Sequence, residues 1–114
     1  MTKVFIDSDI LIDLLAKREH HLAAARLLTI VRDKKVHAFT TPIVLANVDY
    51  IITKHANRGK SKDAIRILRK DMQILLIDDL IVDRALESSF TDFEDALQYY
   101  AAEAANMDFI VTGN

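Results

Sequence analysis

Short, continuous apolar runs alternate along the chain with longer segments whose apolar residues have helical spacing. KVFI (Lys3–Ile6) is rich in β-branched and aromatic residues, and predicts a buried strand. Runs of the same kind predict strands at VHAF (Val36–Phe39), ILLI (Ile74–Ile77) and DFIVT (Asp108–Thr112). Because each run is nearly all apolar, we expect strands covered on both faces, which is typical of a parallel sheet.

Helices are predicted between these strands. They are expected in the residues after Asp9, in Glu19–Lys35, from Pro42 to near Asn57–Gly59, in Ser61–Asp71, in Leu80–Ser89, and from Thr91 onward. Thr41 is predicted to cap the third of them, with Pro42 at the first helical position. Strands that alternate with helices in this way predict an α/β domain.

The segment TDFEDALQYYAA (Thr91–Ala102) begins with three closely spaced carboxylates. Thr91 and Glu94 have the spacing of a capping box, and Asp92 would be favoured by the helix dipole. Asp95 has no such role, and it shares a helix face with Asp92. Capping with solvation and a cation site therefore both remain open for these acids. The core-facing stripe of this helix is predicted at Phe93, Leu97, Tyr100, Ala101 and Ala104.

Composition indicates one compact domain. The chain has 114 residues, of which 51% are hydrophobic, with only two glycines and one proline. It contains no cysteine, which excludes disulfides and thiolate metal sites. The N-terminal sequence lacks the apolar region of a signal peptide, and no run is long enough to span a membrane. We therefore expect a cytoplasmic protein without a membrane partner.

The net charge of −2 conceals an uneven distribution. The region from Lys54 to Lys70 carries seven cations and the single acid Asp63, whereas Arg84 is the only Lys or Arg from Asp71 onward. This layout is compatible with steering of phosphates toward a metal cluster. The alternative is a set of solvated helix faces, and on charge alone this is the preferred interpretation.

Carboxylates are the main chemical resource of this sequence. It has no glycine-rich phosphate-binding motif, and without cysteine its four histidines give little support for a zinc site or a nucleophilic triad. Asp7 follows the first predicted strand, at the edge of a parallel sheet where ligands bind. Carboxylates suit Mg²⁺ or Mn²⁺, whose chemistry would be phosphodiester hydrolysis.

Four motifs give the chain a resemblance to the PIN domain family, and in particular to its VapC-like group of toxin ribonucleases. They are VFIDSDILIDLL, TTPIVLANVDYIITK, TDFEDALQYYAA and DFIVTGN, in this order. The resemblance implies a three-layer αβα fold with a small parallel sheet of about four strands. It also implies a single-strand endoribonuclease that depends on Mg²⁺ or Mn²⁺ and acts as the toxin of a toxin–antitoxin pair. The expected partners are an RNA substrate, an antitoxin protein and a second copy of the chain.

The resemblance also assigns roles to individual residues. It implies that Asp7 and Asp95 hold the metal, with Asp92 as a further acid that binds through water. Asp9 stands where the family usually has Asn, and is expected to order the turn after the first strand. Asn47 stands where the family usually has Glu; its amide oxygen can coordinate a cation but adds no negative charge.

The chain end is a second departure from the family pattern. Family members continue past TGN with another acid and usually with a further strand and helix. We therefore expect residues 1–114 to form a single PIN-like domain that lacks those elements, either because the chain is shortened or because the last ligand is absent. The alternative function is a catalytically degenerate PIN-like module that binds RNA or a protein partner.

Overall fold

Helices and strands alternate throughout the computed structural model, which describes residues 1–15 and 21–112. The elements are β1 (Lys3–Ile6), α1 (Ser8–Leu15), α2 (His21–Arg32), β2 (His37–Thr40), α3 (Pro42–His55), α4 (Arg58–Asp71), β3 (Met72–Ile74), α5 (Asp79–Leu86), α6 (Phe93–Ala104) and β4 (Phe109–Val111). The predicted start of the second helix at Glu19, and the final residues of DFIVTGN, lie outside the described residues. None of the helices in the described ranges is both long and apolar enough to cross a membrane.

The four strands form one parallel sheet in the order β3-β2-β1-β4. Central β1 pairs with β2 from Lys3 opposite His37, and with β4 as far as Ile6 opposite Val111. The chain first winds from β1 through β2 to β3, and then places β4 on the other side of β1. This reversal makes the carboxyl end of β1 the place where such folds bind ligands. The predicted three-layer αβα architecture is confirmed.

The main core surrounds β1. Phe5 and Ile6 are almost completely buried, as are Leu11 of α1 and Val44 and Val48 of α3. A second, smaller cluster lies between α5 and α6, and comprises Ile81, Ala85, Ala96, Leu97 and Ala101. The two clusters fix α1, α3 and α6 around the carboxyl end of the sheet.

The third strand lies earlier than predicted. It was expected at Ile74–Ile77, but β3 follows α4 directly at Met72–Ile74. Its partner β2 ends at Thr40, and α3 begins at Pro42, so the pairing stops once Leu75 N–H has donated to the Thr40 carbonyl (2.8 Å). Strands β2 and β4 differ from their predicted limits by one residue at each end.

The predicted cap of α3 is confirmed, whereas the predicted start of α4 is wrong. The Thr41 hydroxyl accepts a hydrogen bond from Val44 N–H (3.2 Å). Helix α4 begins at Arg58 rather than Ser61, because the Asn57 side chain accepts a hydrogen bond from Lys60 N–H (2.8 Å) and caps it three residues earlier. Ser61 is instead fully buried within the first turn.

The start of α6 also differs from the capping-box prediction. Asp92, and not Thr91, is the N-cap, and its carboxylate accepts a hydrogen bond from Asp95 N–H (3.1 Å). Phe93 was predicted in the core but is 47% exposed. Leu97 and Ala101 are buried as predicted, whereas Ala104 is exposed. The buried face of α6 also includes Ala96, Gln98 and Ala102. A glutamine, Gln98, therefore lies on the buried side of this helix.

Candidate active site

A cavity of about 310 Å³ lies at the carboxyl end of β1, between α1, α3 and α6. It is lined by Asp7, Ser8, Asp9, Ile12, Asn47, Tyr50, Ile51, Glu94, Asp95 and Gln98. Asp7 follows β1 directly, and its backbone N–H donates to the Val111 carbonyl of β4 (3.1 Å). The sheet therefore fixes Asp7, and the helices bring the other side chains to it. We call this cavity the acidic pocket.

Four carboxylates line the acidic pocket, those of Asp7, Asp9, Glu94 and Asp95, without a Lys or Arg among its described lining residues. Burial is the main cause that raises the pKa of Asp7, and the charges of Asp9 and Glu94 raise it further. Asp7 Oδ1 accepts hydrogen bonds from Ser8 N–H (2.6 Å) and from the Ser8 hydroxyl (3.3 Å). These hydrogen bonds lower the pKa of Asp7 and oppose the increase. Asp7 is thus held in position but electrostatically unfavourable as an anion.

Asp95 is more exposed than Asp7, but its carboxylate is also repelled by the neighbouring acids. Its pKa is raised first by the limited burial of its carboxylate, and then by the charges of Asp92, Asp7, Glu94 and Asp9. Sequence reasoning assigned Asp95 no role at the helix start, but α6 begins at Phe93 and Asp95 lies in its first turn. The dipole of α6 therefore offsets part of this repulsion. A bound cation would offset the remainder, since an opposite charge favours the ionised carboxylates.

Asn47 joins α3 to α6 across the acidic pocket. Its side-chain Nδ2 donates a hydrogen bond to the Glu94 carboxylate, which leaves the amide oxygen as the atom of Asn47 that could face a cation. Asp49, two residues on, does not line the pocket. Its Oδ1 accepts hydrogen bonds from Ser61 Oγ (2.6 Å) and Thr53 Oγ1 (3.3 Å).

The structure therefore brings together three of the four predicted site residues, Asp7, Asp95 and Asn47. Asp92 lies outside the lining and acts on the pocket through its charge and through its cap on Asp95 N–H. Sequence reasoning gave Glu94 only a capping role and did not consider Gln98. Gln98 lies four residues after Glu94 and three after Asp95, a spacing that places all three on neighbouring positions of one helix face.

A family model described as PIN domain matches residues 3–114. The chain belongs to the PIN domain family. The predicted family is thereby confirmed. Comparison with curated proteins gave no match.

Solved structures similar to this PIN domain include VapC proteins. VapC20 of Mycobacterium tuberculosis, described as a sarcin-ricin loop cleaving toxin, is 16% identical, with a TM-score of 0.76 over 97% of this chain and 91% of that chain. VapBC2 from Rickettsia felis, solved with a promoter DNA fragment, is 17% identical, with a TM-score of 0.75 over 99% of this chain and 88% of that chain. A toxin–antitoxin complex from Klebsiella pneumoniae is 19% identical, with a TM-score of 0.69 over 95% of this chain and 84% of that chain. At these identities the likeness establishes a shared fold.

The acidic pocket of this PIN domain fits a hydrated divalent cation better than a fully protein-enclosed one. In residues 1–15 and 21–112, no three acidic or histidine side chains are arranged so that they could hold a metal ion between them. Mg²⁺ typically binds through one or two carboxylates and keeps several waters. A water occupies about 30 Å³ in the liquid, so a cavity of about 310 Å³ has room for such a shell.

A second cavity of about 450 Å³ lies at the opposite end of the sheet, where β2 and β3 begin. Two of its charged lining residues have partners in the structure. Arg69 donates to the Met72 carbonyl (3.1 Å), and Asp71 forms an ion pair with Arg32 (3.6 Å). Although it is larger, this cavity lacks the convergent carboxylates of the acidic pocket.

We expect the metal-free PIN domain to lose stability through Asp7 and Asp95 as the pH rises. Both groups have a folded-state pKa above the ordinary value of 3.8, so the folded protein holds these protons more tightly than the unfolded chain. Their contribution to stability is complete below that value and is lost as the pH rises through the folded-state pKa values. Thermal melts from pH 4 to 7 in EDTA, on the wild type and Asp7→Asn, isolate the contribution of Asp7. A stability difference between the two proteins that stays constant across this range would contradict the prediction.

Proposed function

We propose that this PIN domain is an endoribonuclease that hydrolyses phosphodiester bonds in single-stranded RNA, with Mg²⁺ or Mn²⁺ as cofactor. One observation carries the proposal: Asp7 and Asp95, from opposite ends of the chain, line one pocket at the carboxyl end of β1. Burial and neighbouring carboxylates raise the pKa of both groups, because their negative charges are not balanced within the pocket, and a divalent cation would compensate them.

Asp7 and Asp95 would hold the cation, with the Asn47 amide oxygen assisting. When bound, Mg²⁺ or Mn²⁺ lowers the pKa of an attacking water and stabilises charge on the leaving oxygen. Asp92 keeps the first turn of α6, and therefore Asp95, in place through its hydrogen bond to Asp95 N–H. Asp9 and Glu94 present further oxygens that can accept hydrogen bonds from water in the pocket.

Exposed cations on the helix that packs against α3 support RNA as the substrate class. Helix α4 packs on α3, and its exposed cations are Arg58, Lys60, Lys62, Arg66, Arg69 and Lys70. Arg69 and Lys70 line the cavity at the opposite end of the sheet, so the other four are the ones that could serve the acidic pocket. Tyr50 of α3 lines the pocket and is 64% exposed, and Lys54 Nζ lies 5.9 Å from the centre of its ring. Exposed aromatic rings can stack on unpaired bases, and nearby cations bind phosphates. These residues would guide a single strand to the carboxylates.

We also propose a cytoplasmic toxin with an antitoxin partner. Two of the similar structures are described as a toxin and as a toxin–antitoxin complex, and an antitoxin segment that covers the acidic pocket would block it. A homodimer is part of the proposal, because the α5 and α6 region presents exposed apolar side chains that a second copy could cover. They are Leu80, Leu86, Phe90, Phe93 and Tyr99.

The second candidate is a catalytically degenerate module that binds RNA or a protein partner. It is favoured by Asn47 in place of the usual family Glu, and by the lack, among the described side chains, of a three-residue metal group. The two candidates differ in cation binding. A degenerate pocket should show no saturable Mn²⁺ binding at millimolar concentrations.

Cleavage of a labelled single-stranded RNA tests the proposed activity. We expect cleavage with Mn²⁺, little or none with the same sequence as a duplex, and complete loss in EDTA that added Mn²⁺ restores. Mn²⁺ calorimetry on the same preparation separates the candidates. Cleavage that persists in EDTA would contradict a metal-dependent mechanism, and the absence of both binding and cleavage would favour the degenerate module.

A further inference from the structure

Gln98 of α6 is a buried polar side chain with an unexplained oxygen. The residue is only 6% exposed and lines the acidic pocket. Its Oε1 is buried and has no hydrogen-bond partner. Buried polar atoms are paired in the large majority of cases, because an unpaired one loses its hydration without compensation. A partner that completes the site would remove this cost.

A purely structural role does not explain a glutamine at this position. Its neighbours on the buried face of α6 are Ala96, Leu97, Ala101 and Ala102, all apolar. An apolar side chain of similar size would pack there without leaving an oxygen unpaired. The residue also stands beside Glu94 and Asp95 on one helix face. Its position therefore points to a role in the acidic pocket.

The missing partner must be a hydrogen-bond donor or a cation. Among the described lining side chains, the Ser8 hydroxyl donates to Asp7 and one Asn47 N–H donates to Glu94. Neither the other Asn47 N–H nor the Tyr50 hydroxyl, which also lines the pocket, donates to Gln98 Oε1. Asp7, Asp9, Glu94 and Asp95 offer only acceptor oxygens while ionised. Water is then the donor that best fits a pocket of this volume, and a hydrated Mg²⁺ or Mn²⁺ carries several waters.

We propose that Gln98 Oε1 accepts a hydrogen bond from a water of the hydrated cation in the acidic pocket, and so acts as a positioning residue. This inference rests on the proposed function. An amide oxygen suits the role because it orients a water without adding a fifth negative charge to the four carboxylates already present. Gln98 would thus fix where the cation and its water stand relative to Asp7 and Asp95.

Mn²⁺ calorimetry combined with metal-free thermal melts tests this role. Gln98→Met keeps the size of the side chain but removes the acceptor. We expect it to weaken Mn²⁺ binding about tenfold or more, as is usual for residues that support a metal site indirectly. Without metal, its melting temperature should be unchanged or higher, because the unpaired oxygen is gone. Gln98→Glu keeps an acceptor oxygen and should bind Mn²⁺ more tightly than Gln98→Met.

Leu97→Met is the matched control, since Leu97 is buried on the same helix but does not line the pocket. It should leave Mn²⁺ affinity unchanged. Equal Mn²⁺ affinity in the wild type and Gln98→Met would overturn the inference while leaving the proposed function intact. A Gln98→Met chain that unfolds or melts earlier would assign Gln98 a structural role and also overturn it. Lack of saturable binding in the wild type would overturn both proposals.

Discussion

Asp7→Asn is expected to abolish RNA cleavage and leave the fold intact. Asp7 is the most firmly fixed carboxylate of the acidic pocket, through Ser8 N–H (2.6 Å) and through its own backbone bond to β4. Asparagine can accept the Ser8 hydrogen bond but provides no negative charge for a cation. Since even indirect changes at metal sites cost about 10–100-fold in affinity or activity, we expect a loss of at least about a hundredfold. Single-turnover RNA cleavage at saturating Mn²⁺ measures it.

The same substitution should not destabilise the metal-free protein. Burial and neighbouring charges raise the pKa of Asp7, so ionisation of Asp7 at neutral pH opposes folding, and a neutral amide removes that cost. We expect an equal or higher melting temperature at pH 7 in EDTA. Asp83→Asn, an exposed aspartate of α5 outside the pocket, is the control and should change neither cleavage nor melting. Wild-type cleavage by Asp7→Asn would remove Asp7 from the site.

Phe5→Ala is expected to reduce the free energy of unfolding by about 3–5 kcal/mol, the usual cost of truncating a buried aromatic residue. Phe5 is 1% exposed and lies in the central strand β1, opposite Phe39 of β2 and Ile110 of β4. The stability of small domains is about 5–15 kcal/mol, so this loss is a large part of the total. Equilibrium urea unfolding of the metal-free protein measures it.

Phe109→Ala provides a matched control in the same sheet. Phe109 lies in the edge strand β4 and is 62% exposed, so its truncation should cost no more than about 0.5 kcal/mol. The comparison separates loss of core packing from loss of an aromatic residue in a strand. Equal shifts of the urea midpoint in the two variants would contradict a core centred on β1.

The fold could be predicted largely from sequence because its apolar runs are short and distinct. Lys3–Ile6 is a strand with the predicted bounds, and Thr41 caps α3 as its sequence indicates. The starts of α4 and α6 were wrong because Asn57 and Asp92 cap these helices. The third strand was misplaced because tertiary pairing decides where it ends. Ile74–Ile77 has strand character, yet β2 ends before the last of these residues could pair, and Leu76 is 83% exposed. The length of β3 depends on where its partner β2 ends, and the local composition of β3 does not indicate this.

The site was only partly predictable, and for a similar reason. Asp7, Asp95 and Asn47 were assigned from the family resemblance, and one pocket contains all three. The hydrogen bond from Asn47 to Glu94 joins residues 47 positions apart, and no periodicity indicates it. The sequence allows Asp92 to be either a helix cap or a metal ligand. In the structure Asp92 is the N-cap of α6, and its carboxylate accepts a hydrogen bond from Asp95 N–H. Gln98 is an ordinary helix residue until its burial is known.

The position of β1 has a consequence for synthesis of the protein. This strand precedes every other described element, yet it lies between β2 and β4. Lys3 is hydrogen-bonded to Ala105 (2.6 Å) and Asp108 (2.8 Å), which follow it by 102 and 105 residues. Contacts so distant in sequence cannot form before both partners have been translated. The nascent chain on the ribosome therefore lacks a complete acidic pocket until α6 and β4 have been translated. The proposed nuclease would therefore be unable to cleave the messenger that encodes it until α6 and β4 have been made.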